Sequence, residues 1–235
     1  MSIRKLSVVL LALAATTSLF AAEDDVSGQG KGAVGWTPFQ IGLFSPVSYP
    51  WECDWDLKGV GVNLFYMENV KLQGLAVSGI ATRTRDDVKG VVLTGLCNWN
   101  ETDVYGINAT LGANIEFANV YGVELGLFSM RQEMQGLDIN LMGSHQRSFT
   151  GVQVAGLCNF TLEDFTGGDI AFGLNMANDV KGFQVGGINF AHQLKGVQLG
   201  FFNIAEKCPS GIQIGLVNII MDNIVKVLPI TNFYF

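Results

Sequence analysis

From residue 59 onward, apolar and polar positions alternate in short phrases, each opened by a glycine. Leu75/Val77, Val91/Leu93, Val123/Leu125, Leu137/Ile139, Val152/Val154, Phe183/Val185, Val197/Leu199 and Ile212/Ile214 stand one and three places after that glycine. The residue between them is polar in most units: Asn108, Glu124, Asp138, Gln153, Asp169, Gln184, Gln198 and Gln213. Alternation with a period of two predicts strands with one buried face, here with the apolar positions turned inward around a greasy centre. Glycine at this density and β-branched residues at this spacing both oppose helix.

The opening glycines form a tandem array: Gly59, Gly74, Gly90, Gly106, Gly122, Gly136, Gly151, Gly167, Gly182, Gly196 and Gly211. A second glycine follows in most units, and soon after it a small polar residue, usually asparagine. The last three units are the most regular and pair Gly182 with Asn189, Gly196 with Asn203 and Gly211 with Asn218. The step from glycine to polar residue is seven or eight. An inserted residue would flip a flat strand, so the strand must bend or bulge near the second glycine. Asparagine there bonds backbone groups at the bend, a structural role; a ligand-binding row is the alternative. Polar stretches such as Thr84–Lys89 and Ala205–Ser210 make the turns, and Val88, Val104 and Val180 lie two before their glycines.

About 11–12 units of roughly 15 residues, each a bent strand and a turn, can stack in two ways. The first is a closed, shallow antiparallel barrel or radial array, with glycines turning the corners. The second is a parallel β-solenoid whose asparagines form a ladder. The corner glycines and the short period put the closed form first. Trp36–Pro50 reads as a degenerate first unit, and Val227–Phe235, interrupted by Pro229, as a closing or capping segment.

The first 22 residues read as an export signal: Arg4 and Lys5, an apolar run to Phe20, then Ala21 and Ala22. Residues 23–35 read as a flexible leader and 36–235 as one β-repeat domain. Of 14 basic residues two lie in the signal, leaving 12 against 21 acidic, a net charge of −9. That balance disfavours nucleic acid as a partner. An apolar content of 49% with only 15% charged residues calls for a large dry interior or a surface made for lipid or a partner. Cys97 and Cys158 occupy equivalent places four units apart, too far to bridge, and read as small core residues. A Cys53–Cys208 bridge stays open if the array closes on itself.

The GLQIGLxN-like phrases around Gln184, Asn189, Gln198, Asn203, Gln213 and Asn218, with their glycines and the aromatic ending, resemble bacterial surface repeat-containing proteins. The pattern also resembles the shallow barrels called β-flowers. The resemblance covers Trp36 to Phe235 and weakens toward the N-terminus, where Val92 and Asn108 stand in place of glutamine. It implies membrane or envelope association and supplies no catalytic residues.

Chemistry-bearing groups are sparse. His145 and His192 fall after the Ser144 and Asn189 positions, in turns, without metal-ligand spacing. Gly30–Gly35 fits GxGxxG but lacks the flanking strand and helix that phosphate binding needs. Asp54 and Asp56 lack the further oxygens of a calcium site. Asn108-Ala109-Thr110 and Asn159-Phe160-Thr161 are sequons placed inside strands. No nucleophile–base pair stands out, so catalytic, cofactor and metal sites are all expected to be absent. The expectation is a non-enzymatic, exported protein of the outer membrane or cell surface, in contact with lipid and open to an envelope protein or glycan partner. A small barrel holding an apolar ligand, suggested by Phe128, Phe172, Phe201 and Phe202, is the alternative. A glycan-active solenoid enzyme is the third reading.

Overall fold

The computed structural model describes residues 32–51 and 53–234. The export-signal reading, most of the leader and Gly30-Lys31 of the GxGxxG phrase therefore lie outside the described residues. The described residues form no helix. Strands β1 (Gly35–Phe44), β2 (Val47–Tyr49) and β3 (Trp55–Asn69) open the fold. Then come the short strands β4 (Leu72–Ser78), β5 (Ala81–Thr84), β6 (Val88–Thr94), β7 (Cys97–Asn100), β8 (Val104–Thr110) and β9 (Ala113–Glu116). The long runs β10 (Val120–Ala155) and β11 (Cys158–Ile220) continue the same winding without a break, and β12 (Val227–Phe233) ends it.

The units stack parallel, not antiparallel. On one face β3, β4, β6, β8 and β10 pair in parallel; on the other β3, β5, β7, β9 and β10 do the same. The fold is a parallel β-solenoid, and the closed antiparallel barrel is excluded. The expected bent strand is in fact two short strands per coil, of 7 and 4 residues in the Leu72 coil, separated by a sharp corner. That economy is how so short a period closes a coil.

The opening glycines set the register, pairing one on one from Gly59 through Gly74, Gly90 and Gly106 to Gly122. They are there by steric need. At Gly167 φ is 130°, and an added Cβ would stand 1.9 Å from the Gly151 carbonyl oxygen. Only glycine accepts both that backbone and that approach.

The seven-or-eight step also has a structural reading. Coils with a step of seven put the second glycine four places after the first, as at Gly186, Gly200 and Gly215. In coils with a step of eight a small residue, Ser78, Thr94, Thr110, Asn140, Ala155 or Ala171, is buried at that place. The insertion is absorbed at the corner, and the asparagine keeps its inward direction.

The largest departure from expectation concerns inside and outside. The apolar residues flanking the alternating polar position face outward: Ile107, Ile139, Val152, Phe183, Leu199 and Ile214 are exposed. Glu124, Asp138, Gln153, Asp169, Gln184, Gln198 and Gln213 are buried. The physical reason is ladder formation. Parallel in-register stacking puts identical amides one strand spacing apart, so each satisfies its neighbour and burial carries little cost.

The apolar core is built on a column two residues before the opening glycines, including Leu57, Leu72, Val88, Val104, Val120, Phe149, Phe165, Val180 and Leu194, against which Met67, Ala76, Val92, Ala177, Ala191, Ala205, Cys208 and Ile220 are also buried. Phe149 and Phe165 stack at 5.6 Å within it.

The ends are capped differently. β1 lies parallel to β3 and carries β2 antiparallel, the degenerate first unit. β12 returns antiparallel on β11, from Ile212↔Phe233 to Ile219↔Val227, as a closing segment. All four cysteines are free thiols. The open solenoid does not join Cys53 to Cys208, and Cys97 and Cys158 are half-buried rather than core residues.

Candidate functional site

Two columns of buried amides run through the C-terminal coils. Asn175, Asn189 and Asn203 each donate from Nδ2 to the next asparagine Oδ1, at 2.9, 2.8 and 2.8 Å. The same nitrogens also donate to the carbonyls of Val185, Leu199 and Ile214. Gln213 donates to Gln198 and Gln198 to Gln184, both at 2.8 Å. Asn218 bonds the corner carbonyl of Gly215 at 3.0 Å. Of the repeat residues singled out in the sequence, Asn189, Asn203 and Asn218 are therefore inward rungs. Gly182 and Gly196 are positive-φ ladder glycines, while Gly211 is not in that backbone region. No asparagine of the row reaches the surface.

Midway along the solenoid the interior becomes ionic. Arg131 donates to Glu124 from one side and to Asp138 from the other, and all three are sealed from solvent. Asn108 donates to Glu116 at 2.6 Å, and Asn140 to Asp138 at 2.6 Å. Burial, then the neighbouring Glu124 charge, pushes Glu116 well above the usual carboxylate range. Burial likewise raises Glu124 and Asp138, against the opposing pull of Arg131. Burial opposes the Arg131 charge too, but Asp138 and Glu124 outweigh it and hold the guanidinium protonated. Glu116 Oε2, Glu124 Oε1 and Arg131 Nε have no hydrogen-bond partner. Asp169, further along, is pushed up to about 7 by burial, although Gln153, Asn159 and Gln184 all donate to it.

Sequence reasoning missed this cluster because it turned the alternating polar positions, Glu124 and Asp138 among them, toward solvent. A signal was present, since Glu124, Arg131 and Asp138 are seven apart, the separation that carries a residue from one face of a coil to the other.

The exterior is divided. Charged and polar residues gather along the turn edge, where Lys71–Asp86, Arg83–Glu101, Arg147–Glu163 and His192–Glu206 form exposed or half-exposed pairs. His145 lies on a coil face packed against Phe160 rather than in a turn, while His192 pairs with Glu206 at the turn edge. Arg85 pairs with Asp54 and Glu68, so Asp54 serves an ion pair. Among the described residues no group of three His, Cys, Asp or Glu could hold a metal ion.

The opposite, second-glycine edge is apolar in every coil. Leu111 is 84% exposed and Phe172 90%, among Leu64, Leu96, Leu141, Leu157, Phe201 and Leu216. Near the C-terminal end the corner glycines Gly186, Gly200 and Gly215 leave an open apolar groove of about 650 Å³, walled by Ile170, Val185, Leu199, Phe172, Phe201 and Leu216. Phe128, Phe172, Phe201 and Phe202 all face outward, so they line no internal lumen. Both sequons point their asparagines, Asn108 and Asn159, into the dry interior.

Comparison of the chain with protein families, curated proteins and solved structures finds no match. Among the described residues no helix is long and apolar enough to cross a membrane.

Proposed function

We propose that this chain is a non-enzymatic envelope module, exported and held at the outer membrane or cell surface by lipid contact. The observation that carries the reading is the inverted polarity of the coils. Amides and charges are buried and mutually bonded, while valine, leucine, isoleucine and phenylalanine face outward along the whole length. Exposed apolar area of that extent marks a surface that meets lipid or a partner. The export-like leader and the resemblance to bacterial surface repeat proteins support the same reading. The acids that gather around Arg131, Glu124 and Asp138 among them, are sealed inside, where no glycan meets them. Extraction of native membranes with alkaline carbonate tests the proposal: the chain stays in the pellet, and quantitative release as a soluble monomer overturns it.

A second reading is favoured by the groove at Gly186, Gly200 and Gly215: the module holds an apolar ligand on its outside. Native mass spectrometry after gentle purification would find bound lipid of acyl-chain type. A bare chain in that measurement removes this reading and leaves the first standing.

A further inference from the structure

We infer that the solenoid enters one leaflet of a lipid bilayer edge-first, second-glycine edge down, without crossing it. The inference rests on the membrane reading above and adds the orientation, the depth and the residues at each level. Three observations point to it.

The first is the order of residue types from one edge to the other. At the bottom lie the exposed corner residues Leu96, Leu111, Leu141, Leu157, Phe172 and Phe201. Above them, on the opening-glycine face, are the outward columns one and three places after each glycine, which are apolar in nearly every coil. One place before the glycine the chemistry changes to Lys58, Lys89, Tyr105, Tyr121, Lys181 and Lys195. Tyr105 and Tyr121 stack at 4.9 Å, with Lys89 over the Tyr105 ring at 5.7 Å. Lysine and tyrosine are the side chains that keep an apolar stem in the hydrocarbon and a polar tip among headgroups. The ion pairs of the turn edge stand above that border, in water.

The second observation is depth. From the first apolar column to the corner is four residues, about 13 Å of strand. One leaflet supplies about 15 Å of hydrocarbon, half of the bilayer core. The apolar wedge is as deep as one leaflet and too shallow for two.

The third is hydrogen bonding. Lipid tolerates only backbone whose groups are bonded within the protein. Even at the corner the backbone bonds from coil to coil, as Gly79 N to Asn63 O, Leu96 N to Ile80 O, Leu157 N to Met142 O and Gly173 N to Leu157 O. Inside the C-terminal coils the amide ladders add side-chain bonds from coil to coil.

A second protein is the weaker candidate for this surface. The apolar area covers the opening-glycine face and the corner edge and continues past the corner at Leu162, Ile188 and Phe202 on the second face, so a flat partner covers only one side. Lipid closes around a wedge on all three.

Vesicle flotation tests the orientation, using the full chain transferred from detergent into vesicles of phosphatidylethanolamine and phosphatidylglycerol. The wild type floats, as does a control carrying Gln132→Asp, Asn178→Asp and Ser210→Asp at the turn edge. The edge variant Leu111→Asp/Leu141→Asp/Phe172→Asp loses at least tenfold in floated fraction while keeping its β circular dichroism. A wild type that does not float sinks the membrane reading itself. An edge variant that floats like the wild type overturns only the orientation, as does a control that fails to float. A second measurement covers the case of a misfolded edge variant. In a chain whose own Trp36, Trp51, Trp55 and Trp99 are replaced by phenylalanine, a tryptophan introduced by Leu141→Trp should be quenched most by lipids brominated deep in the acyl chain, and one introduced by Thr166→Trp most by shallow bromines. The reverse order overturns the proposal.

Discussion

Asn189 donates to Asn203 Oδ1 at 2.8 Å and to the Leu199 carbonyl at 2.9 Å, with a single side-chain nitrogen. Its own Oδ1 accepts from Asn175 at 2.9 Å. One amide thus holds three coils together. Asn189→Leu leaves neighbouring buried polar groups unpaired and should cost about 2–4 kcal/mol. Unfolding by denaturant in mild detergent measures it. His192→Ala, which removes the exposed His192–Glu206 pair, should cost less than about 1 kcal/mol. Equal losses in the two variants would show that the ladder carries no special weight.

Among the described residues, Arg131 is the only cation buried beside the carboxylates Glu116, Glu124 and Asp138. Removing it by Arg131→Met leaves those acids buried without compensation, at a cost of about 3–5 kcal/mol. Because all three are already held above their ordinary range, the remedy for the variant is protonation. The loss should therefore be smallest at acid pH and grow as pH rises. Adding Glu124→Gln and Asp138→Asn to Arg131→Met should return much of the lost stability. Thermal unfolding across pH decides, and a loss independent of pH would contradict the account.

Asp169 is raised in the folded protein to about 7, above its unfolded value of about 3.9. The folded state then binds the proton more tightly than the unfolded chain. The stabilisation is complete below about pH 4 and is lost as pH rises toward 7, roughly 4 kcal/mol over the whole window. Asp169→Asn, which cannot ionise, should flatten that part of the profile. An unchanged slope in the variant would assign the pH dependence elsewhere.

Gly167→Ala meets two obstacles at once, a φ of 130° and the Gly151 carbonyl oxygen 1.9 Å from the new Cβ. A loss of about 3 kcal/mol or more is expected, or no folded protein at all. Gly32→Ala is the control, since its Cβ meets nothing within 4 Å. Comparable folded yields would remove the steric argument for the glycine ladder.

Non-reducing thiol counting checks the cysteines. Denatured, alkylated protein should carry a label on Cys53, Cys97, Cys158 and Cys208, since all four are free. In the native state the half-buried Cys97 and Cys158 should react before the buried Cys208, whose thiol burial and Asp222 push up to about 11. A missing pair of labels on Cys53 and Cys208 would restore a bridge between the ends.

Strand content and unit boundaries were legible because glycine and alternation speak directly about the backbone. The opening glycines and the closing role of the last segment could be read from spacing, whereas Val88, Val104 and Val180, which the sequence reading leaves in turn stretches, are core residues. The direction of the pattern could not. A period of two separates the faces but does not say which faces inward, and Gln184 flanked by Phe183 and Val185 reads equally well either way up. What decides is the stacking of Gln184, Gln198 and Gln213 across coils, a relation between units that no single unit displays. The recurring asparagine was the available clue to a solenoid, and the weight given to corner glycines in a barrel outran it. The ionic centre escaped because Glu124, Arg131 and Asp138 meet across the coil's interior, not along a strand.

That ionic centre has a consequence for how the chain finds its alignment. A winding made of near-identical rungs could settle one unit out of step with little penalty, because glutamine greets glutamine and glycine greets glycine almost anywhere. Shifted by one unit toward the C-terminus, Arg131 would stand in the place of Gln146, exchange Glu124 for the neutral Gln153 and leave Glu124 without its cation in a sealed interior. The one irregular rung thus acts as an index mark, and only a single threading of the spiral lets it fit.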